Sequence, residues 1–457
     1  MSVLPGDFDL GQVLQEAEAA ERRQEWCAAA CIYQELVGSA DAPAPLLLRA
    51  ANALWLSDQP EEALELYRRA SLLLPDSPAP FMGLGNSLRD LNRFEAADRA
   101  FRASRQRRDG PALACNHAAL LIGLESYDEA YGLAERRFEL PGMGPGPEGG
   151  VAAVVASAPV LHVRTEQGLG DGLQYLRWIP PLLEQATARG QSVVLEVEPS
   201  LVTLLRRGLA WLPQPPEVRA TPGPGDDDPL GVGTGGDGQE PAPARDRVSL
   251  LSLPAALGGA PCPQPPGPDG RGTYLRGLAP ARPADGWGRP PRVGLTWASG
   301  RKLADGFTRR EYRKRTLPAA ALVRLVEGLV AQGWEPVLLQ QGEDREMAQP
   351  VAPLFVDAIP PDGDFLATAG VLASTDLLIT VDTAMAHLAG AMGHPAWVLL
   401  PFSADPRWLR QRQDSPWYPS LRLFRQGEDR DWLPVVAAVL QAAAVEAAAA
   451  FRAAAAG

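Results

Sequence analysis

Cysteine is scarce in this chain of 457 residues: Cys27, Cys31, Cys115 and Cys262 are all it has. No CxxC pair and no adjacent histidine marks a zinc site, and so wide a scatter makes no disulfide framework. Small buried hydrophobes in a reducing compartment are the expected role, including Cys27 and Cys31, which share one face of a helix. A basic leader followed by an apolar stretch is missing from MSVLPGDFDL, so no signal peptide is expected. Membrane-length apolar runs are missing too. The nearest, Val435 to Ala456, is interrupted by Gln441, Glu446 and Arg452 and reads as a soluble amphipathic helix. These absences predict a cytoplasmic protein with no membrane span. Positive charge is in deficit, since 43 Lys and Arg against 55 Asp and Glu leave a net −12. That excludes wholesale coating of nucleic acid or anionic lipid, and no nucleic-acid partner is expected.

What is present is a globular composition, 46% apolar and 21% charged, in a length that suits about three domains. The first part repeats. Ala29, Ala63 and Ala97 are 34 apart, as are Tyr33, Tyr67 and Phe101, and a fourth copy follows at 33 with Ala130 and Ala134. Ala51, Gly85 and Ala118 correspond on the first helix of each pair, as do Leu54, Leu88 and Leu121, while Pro75 and Pro111 break between repeats. This period, with small residues at helix crossings, resembles the tetratricopeptide repeat. Each helical hairpin leaves an apolar face that only a neighbour can cover, so residues 10–140 are expected to stack into a short solenoid. A spacer and a peptide-binding groove both fit it.

After a Gly/Pro break at Pro141–Gly150 the pattern becomes strand, glycine loop, helix, strand. Val160–Val163 leads into Gly168-Leu169-Gly170-Asp171-Gly172, then a helical stretch, then Val193–Val197. Residues 213–247 are Pro, Gly and Asp with almost no large apolar residue, and a disordered insert is expected there. A second Pro-rich stretch runs from Pro261 to Pro291, with the linker placed at 276–291. The second half is α/β again, with expected strands at Arg292–Trp297, Pro336–Gln340, Leu377–Val381 and Ala396–Leu400. Its expected helices are Pro318–Gln332, Asp364–Ala373 and Ala384–Met392. Two such halves, 151–275 and 292–430, place a cleft at the carboxyl ends of their strands. Residues 431–457 form the expected C-terminal Ala-rich helix.

Three segments carry chemistry. Val381-Asp382-Thr383-Ala384-Met385-Ala386-His387 ends a buried strand and opens a helix at once, where unpaired amides and the dipole favour an anion. A helix cap at Asp382 and a packed His387 fit the same residues. The run Arg301 to Arg315 holds seven basic residues against two acidic ones, suited either to phosphates or to a solvated loop. Glu166-Gln167-Gly168-Leu169-Gly170-Asp171 is a glycine loop whose Asp171 reads as a general base or a helix cap. The dinucleotide fingerprint GxGxxG fails at Leu173. Trp408, Trp417, Tyr418 and Phe424 are expected to pack.

Together these residues resemble a bacterial tetratricopeptide-repeat protein fused to a heptosyltransferase-like domain. That domain is of the ADP-heptose:lipopolysaccharide heptosyltransferase kind, glycosyltransferase family 9 type. The resemblance spans most of residues 25–430. It rests on EQGLGD (166–171) followed by Gln174 and Arg177, VGLTWAS (293–299), VDTAMAHLAGAMG (381–393) and DSPWYPSLRLFRQ (414–426). The fold class it implies is α + α/β, a helical solenoid followed by a GT-B pair of Rossmann-like domains, acceptor side first and donor side second. It implies inverting, metal-independent transfer of a sugar from a nucleotide-sugar donor to a hydroxyl. No cofactor or metal is expected. Asp171 matches the general base, with Gly168 and Gly170 in its loop and Glu166, Gln167 and Gln174 on the acceptor side. Thr296, Lys302, Arg315, Asp382, Thr383, Ala384, Met385, Ala386 and His387 match the donor site. The repeats would take a protein or peptide; the acceptor is a glycan, lipid or protein. A non-catalytic adaptor with a vestigial nucleotide-sugar module, and a nucleotide-sugar epimerase, are the alternatives.

Overall fold

The computed structural model describes residues 10–38, 41–143, 146–221, 246–259, 272–278, 289–301, 303, 305–360 and 363–456, side chains excepted at 10 and 448–456. It divides into two units. Among the described residues the first opens with the helices α1 (Leu10–Arg22), α2 (Trp26–Leu36), α3 (Ala44–Leu56), α4 (Pro60–Leu73), α5 (Pro78–Asp90), α6 (Phe94–Arg107) and α7 (Pro111–Gly123). Each packs on its sequence neighbours. The repeat residues explain why. Ala29, Ala63 and Ala97 are fully buried, and the rings of Tyr33, Tyr67 and Phe101 fill the spaces between helices. A Cβ added at Gly83 would lie 2.2 Å from the Tyr67 ring, and one at Gly85 would lie 2.6 Å from Phe101. Glycine there admits the aromatic of the repeat. The turns inside the hairpins share one device: Gln24, Asp58, Asn92 and Glu125 all adopt left-handed backbone, with φ of 58°, 66°, 56° and 59°.

The second unit begins with α8 (Tyr127–Ala134), whose Tyr131 meets Tyr175 and Trp178 edge-on. The expected fourth repeat therefore loses its second helix to the following unit. α9 (Val151–Ser157), β1 (Val160–Arg164), α10 (Leu169–Tyr175), α11 (Ile179–Ala188), β2 (Ser192–Val197), α12 (Val202–Gly208), β3 (Glu217–Ala220), β4 (Arg247–Ser249) and α13 (Leu253–Leu257) follow. They build a parallel sheet in the order β3-β2-β1-β4. The expected insert at 213–247 is corrected at both ends: Glu217–Ala220 pairs with β2, with Val218 buried, and Arg247 opens β4. Residues 222–245 of that insert, with Asp226, Asp227 and Asp228, lie outside the described residues, as do Cys262 and most of the linker.

The chain continues through β5 (Arg292–Thr296), α14 (Gly306–Arg315), α15 (Ala319–Ala331), β6 (Glu335–Leu338), α16 (Phe365–Ala373), β7 (Leu377–Val381), α17 (Ala384–Met392), β8 (Ala396–Leu400), β9 (Leu421–Arg425) and α18 (Leu433–Ala456). The second sheet is also parallel, ordered β6-β5-β7-β8-β9. β7 and β8 are buried at every position, as strands covered on both faces must be.

Most of the basic run at 301–315 is helical. Gly306–Arg315 is a helix, and Arg301–Lys314 belongs with the first unit. Arg310 is fully buried, donates to Asp58 (2.9 Å) and Asp90 (2.6 Å), and lies over the Trp55 ring. Phe307 stacks on the same ring, and Arg309 reaches Gln24. Cys27 and Cys31 are exposed on α2, against the expectation of burial; the buried face of that helix is taken by Ala29, Ala30 and Tyr33. No helix among the described residues is long and apolar enough to cross a membrane.

Candidate functional site

Two strand-to-helix turns of the second unit meet. One leads from β1 to α10, the other from β7 to α17. In the first, Gly168 caps α10 with extended backbone and Asp171 occupies the third helical position. The Asp171 carboxylate accepts from the Gly168 amide at 3.4 Å. Gln167 is exposed and left-handed at φ 68°. Glu166 accepts from Arg137 Nε at 2.6 Å, and Arg137, buried, also donates to Glu135 and to Ser252 Oγ. Burial opposes the charge of Arg137, and the Glu166 and Glu135 carboxylates outweigh it, so its pKa is raised. Glu166 thus holds the loop to its scaffold. Gln174 is buried one turn on, and its backbone carbonyl accepts from Arg177 Nε at 3.0 Å.

In the second turn Asp382 is buried at the end of β7, and Thr383 caps α17 by accepting the Met385 amide at 3.2 Å. Thr296, at the end of neighbouring β5, is bonded through its hydroxyl to Thr380, which also touches Thr383 Oγ1 at 3.1 Å. Arg315 stands beside this turn, its Nη1 3.5 Å from the Asp382 carbonyl and 3.9 Å from its carboxylate. Met385, Ala386 and His387 are buried. Lys302 lies outside the described residues.

The two turns touch. A Cβ at Gly170 would lie 2.9 Å from His387 Cδ2 and 3.5 Å from Ala384 Cα, so only glycine admits this approach. The structure therefore brings the 168–171 loop against 384–387, with Arg315 and Thr296 at the carboxyl ends beside them. Glu166 is turned to a scaffold contact with Arg137, and Gln174 is buried.

Residue-by-residue motif reading missed four positions. Gln340 accepts from the amides of both Trp297 and Ala298 at 3.0 Å, pinning the loop after β5. Ser299 Oγ in that loop is buried with no partner. Tyr418 bonds His387 Nδ1 at 2.9 Å, and Arg177 is fully buried against the Tyr418 and Trp417 rings. The aromatics in the motif at 414–426 gave a packing signal, and Trp408, Trp417, Tyr418 and Phe424 are buried. Packing and positioning are indistinguishable in sequence. Among the described residues, no group of three or more His, Cys, Asp or Glu side chains could hold a metal ion.

No protein-family model matches the chain. It is similar to Protein FlbA of Caulobacter vibrioides, 27% identical over 405 residues that cover 81% of this chain. The match spans 62% of the length of that curated relative. Among solved structures, E. coli heptosyltransferase WaaC with ADP-2-deoxy-2-fluoro heptose is similar at 16% identity and a TM-score of 0.40, covering 62% of this chain and 98% of that one. E. coli ADP-heptose lps heptosyltransferase II gives 14% and 0.39, with 62% and 98% covered. A mutant O-GlcNAc transferase of Thermobaculum terrenum gives 14% and 0.31, with 97% and 93% covered.

Proposed function

We propose that the chain is a nucleotide-sugar glycosyltransferase of the inverting, metal-independent kind, with its helical repeats serving protein interaction. One observation carries this reading: two parallel-sheet halves present the carboxyl-end turns of β1 and β7 to each other, with an aspartate on one and a helix N-terminus on the other. The start of α17 offers the Ala384 amide and the positive end of a helix dipole to a diphosphate. Arg315 adds a full positive charge beside it. Negative charge grows on the leaving diphosphate in the transition state, and these groups oppose it there. Asp171, across the seam, accepts the proton of an acceptor hydroxyl. No step in this scheme calls on a metal.

The test is Asp171→Asn. Transfer should fall by at least about a hundredfold, the range of general-base catalysis, with nucleotide affinity nearly unchanged. A donor screen reading nucleoside diphosphate release, with lysate as acceptor, supplies the assay. Turnover equal to wild type sinks the base assignment.

A second reading, a non-catalytic nucleotide-sugar binder, is favoured by the tightness of the seam. Gly170 lies directly on Ala384 and His387, and Asp382 and His387 are buried. The halves must part to admit a sugar diphosphate. Calorimetry showing binding, with no product from any donor and acceptor, selects this reading.

A further inference from the structure

β9 is the last strand of the second sheet. Residues 411–414 run beside its edge: Asp414 bridges to Arg422 in the antiparallel sense, and the Leu423 amide donates to the Gln413 carbonyl at 2.8 Å. α18 lies across from this edge. Its Leu440 and Ala443 carbonyls accept from Gln332 and Trp334 at 3.0 and 3.2 Å, which seats one face of the helix at the end of α15. Val436, Val439, Ala443 and Ala447 are buried on that face. Ala438, Ala442 and Val445, spaced i, i+4, i+7, make the opposite face, and they line a cavity of about 680 Å³ against β9. A volume of this order suits a small ligand.

The β9 side of the cavity combines apolar Leu423 and Phe424 with Arg412, Arg422 and Arg425, and Glu446 is the acid among the lining residues. Two of the arginines serve the scaffold. Arg412 donates from Nε and Nη2 to the Asp414 carboxylate at 2.9 and 2.7 Å. Arg425 Nε donates to the Arg412 carbonyl at 3.1 Å, and burial pushes its pKa down to about 10. Arg422 differs. It is exposed, and its guanidinium makes no hydrogen bond or ion pair among the described residues. It lies 4.8 Å from the Phe424 ring and 5.8 Å from the Trp397 ring. Rings hold a guanidinium by its face and leave the N–H groups in its plane to other acceptors. Those groups form a fork that matches a carboxylate or a phosphate. A bare anion would use the fork and leave the apolar helix face uncovered. An anion on an apolar chain uses both.

We propose that the cavity between β9 and α18 binds a small amphipathic anion, a phosphate or carboxylate carried on a short aliphatic chain. Arg422 takes the head group, and the chain lies along Ala438, Ala442 and Val445. Arg425 adds to the positive field, and Glu446 opposes binding. None of the lining residues belongs to the β1–α10 or β7–α17 turns, so the site stands apart from the glycosyltransferase reading.

Calorimetry on the full-length protein tests this, with octyl phosphate, octanoate, inorganic phosphate and octanol as probes. Octyl phosphate or octanoate should bind at one saturable site, and the tighter of the two names the head group. Inorganic phosphate and octanol, each with half of the ligand's chemistry, should bind at least about tenfold more weakly. Arg422→Gln should weaken the amphipathic anion by about tenfold or more, the worth of hydrogen bonds to a charged group. Val445→Glu, which sets a like charge in the chain's path, should weaken it too, and Glu446→Gln should tighten it. Val445 is 65% exposed, so that change leaves the core intact. Three results overturn the proposal: no saturable binding of either amphipathic anion, inorganic phosphate bound as tightly as octyl phosphate, or affinity unchanged in both Arg422→Gln and Val445→Glu.

Discussion

Gly170 shows how much one missing carbon can decide. Its hydrogen lets α10 and α17 meet, and a side chain would have to displace the His387 ring. Gly170→Val should destabilise the second unit by about 1–3 kcal/mol, the usual cost of overpacking, measured by denaturant unfolding of the full chain. Gly172→Ala is the control, since its nearest neighbour is at ordinary contact, 3.4 Å from Thr165 Cγ2. Equal stability of wild type and Gly170→Val would show that the two turns are not packed as described.

Among the elements, α14 has the most to explain. A helix with a strongly basic sequence ordinarily stands in water, but Arg310 is drawn into the helical unit by Asp58 and Asp90. Burial pushes the Asp90 carboxyl up, and the charges of Arg310, Lys314 and Arg89 outweigh it, leaving its pKa far below the ordinary value. The pair therefore contributes stability above the unfolded carboxylate pKa of about 4, and that contribution is lost as pH falls through the lower folded value. Arg310→Met should cost about 3 kcal/mol at neutral pH, because it takes the nearest charge from buried Asp90 and leaves it Arg89 at 3.4 Å and the Trp55 indole N–H. Amide exchange in α3 and α5 reads the loss. As pH is lowered below 4, the variant's deficit should shrink as Asp90 becomes protonated. A deficit independent of pH would mean that packing, not charge, ties α14 down.

The whole chain separates sequence order from spatial grouping. Arg301–Lys314 and Phe402–Arg410, distant in sequence, join the first unit, while both parallel sheets belong to the second. A ligand that binds the folded second unit should stabilise it by mass action. ADP or UDP at a hundred times its dissociation constant should add about 2.7 kcal/mol to unfolding, seen as a concentration-dependent rise of the second unit's transition in calorimetry. A transition unmoved by either nucleotide at millimolar concentration would remove the nucleotide from the proposed function.

The sequence by itself determined what is periodic and local. The 34-residue repeat, the apolar runs of β1, β2, β5, β7 and β8, and the helices at 319–331, 365–373 and 384–392 were all legible there, because apolar periodicity and caps are short-range signals. The glycine loop and the turn after Val381 were legible for the same reason. Tertiary structure alone decided the partners. β3 was hidden inside a Pro-rich stretch, since four residues beside such a composition carry too little pattern to mark a strand. α14 reads in sequence as a phosphate-binding run or a solvated loop, because the acids that neutralise it, Asp58 and Asp90, lie more than two hundred residues away. Tyr418 reads as packing in the sequence, and its contact with His387 depends on geometry between segments far apart in the chain.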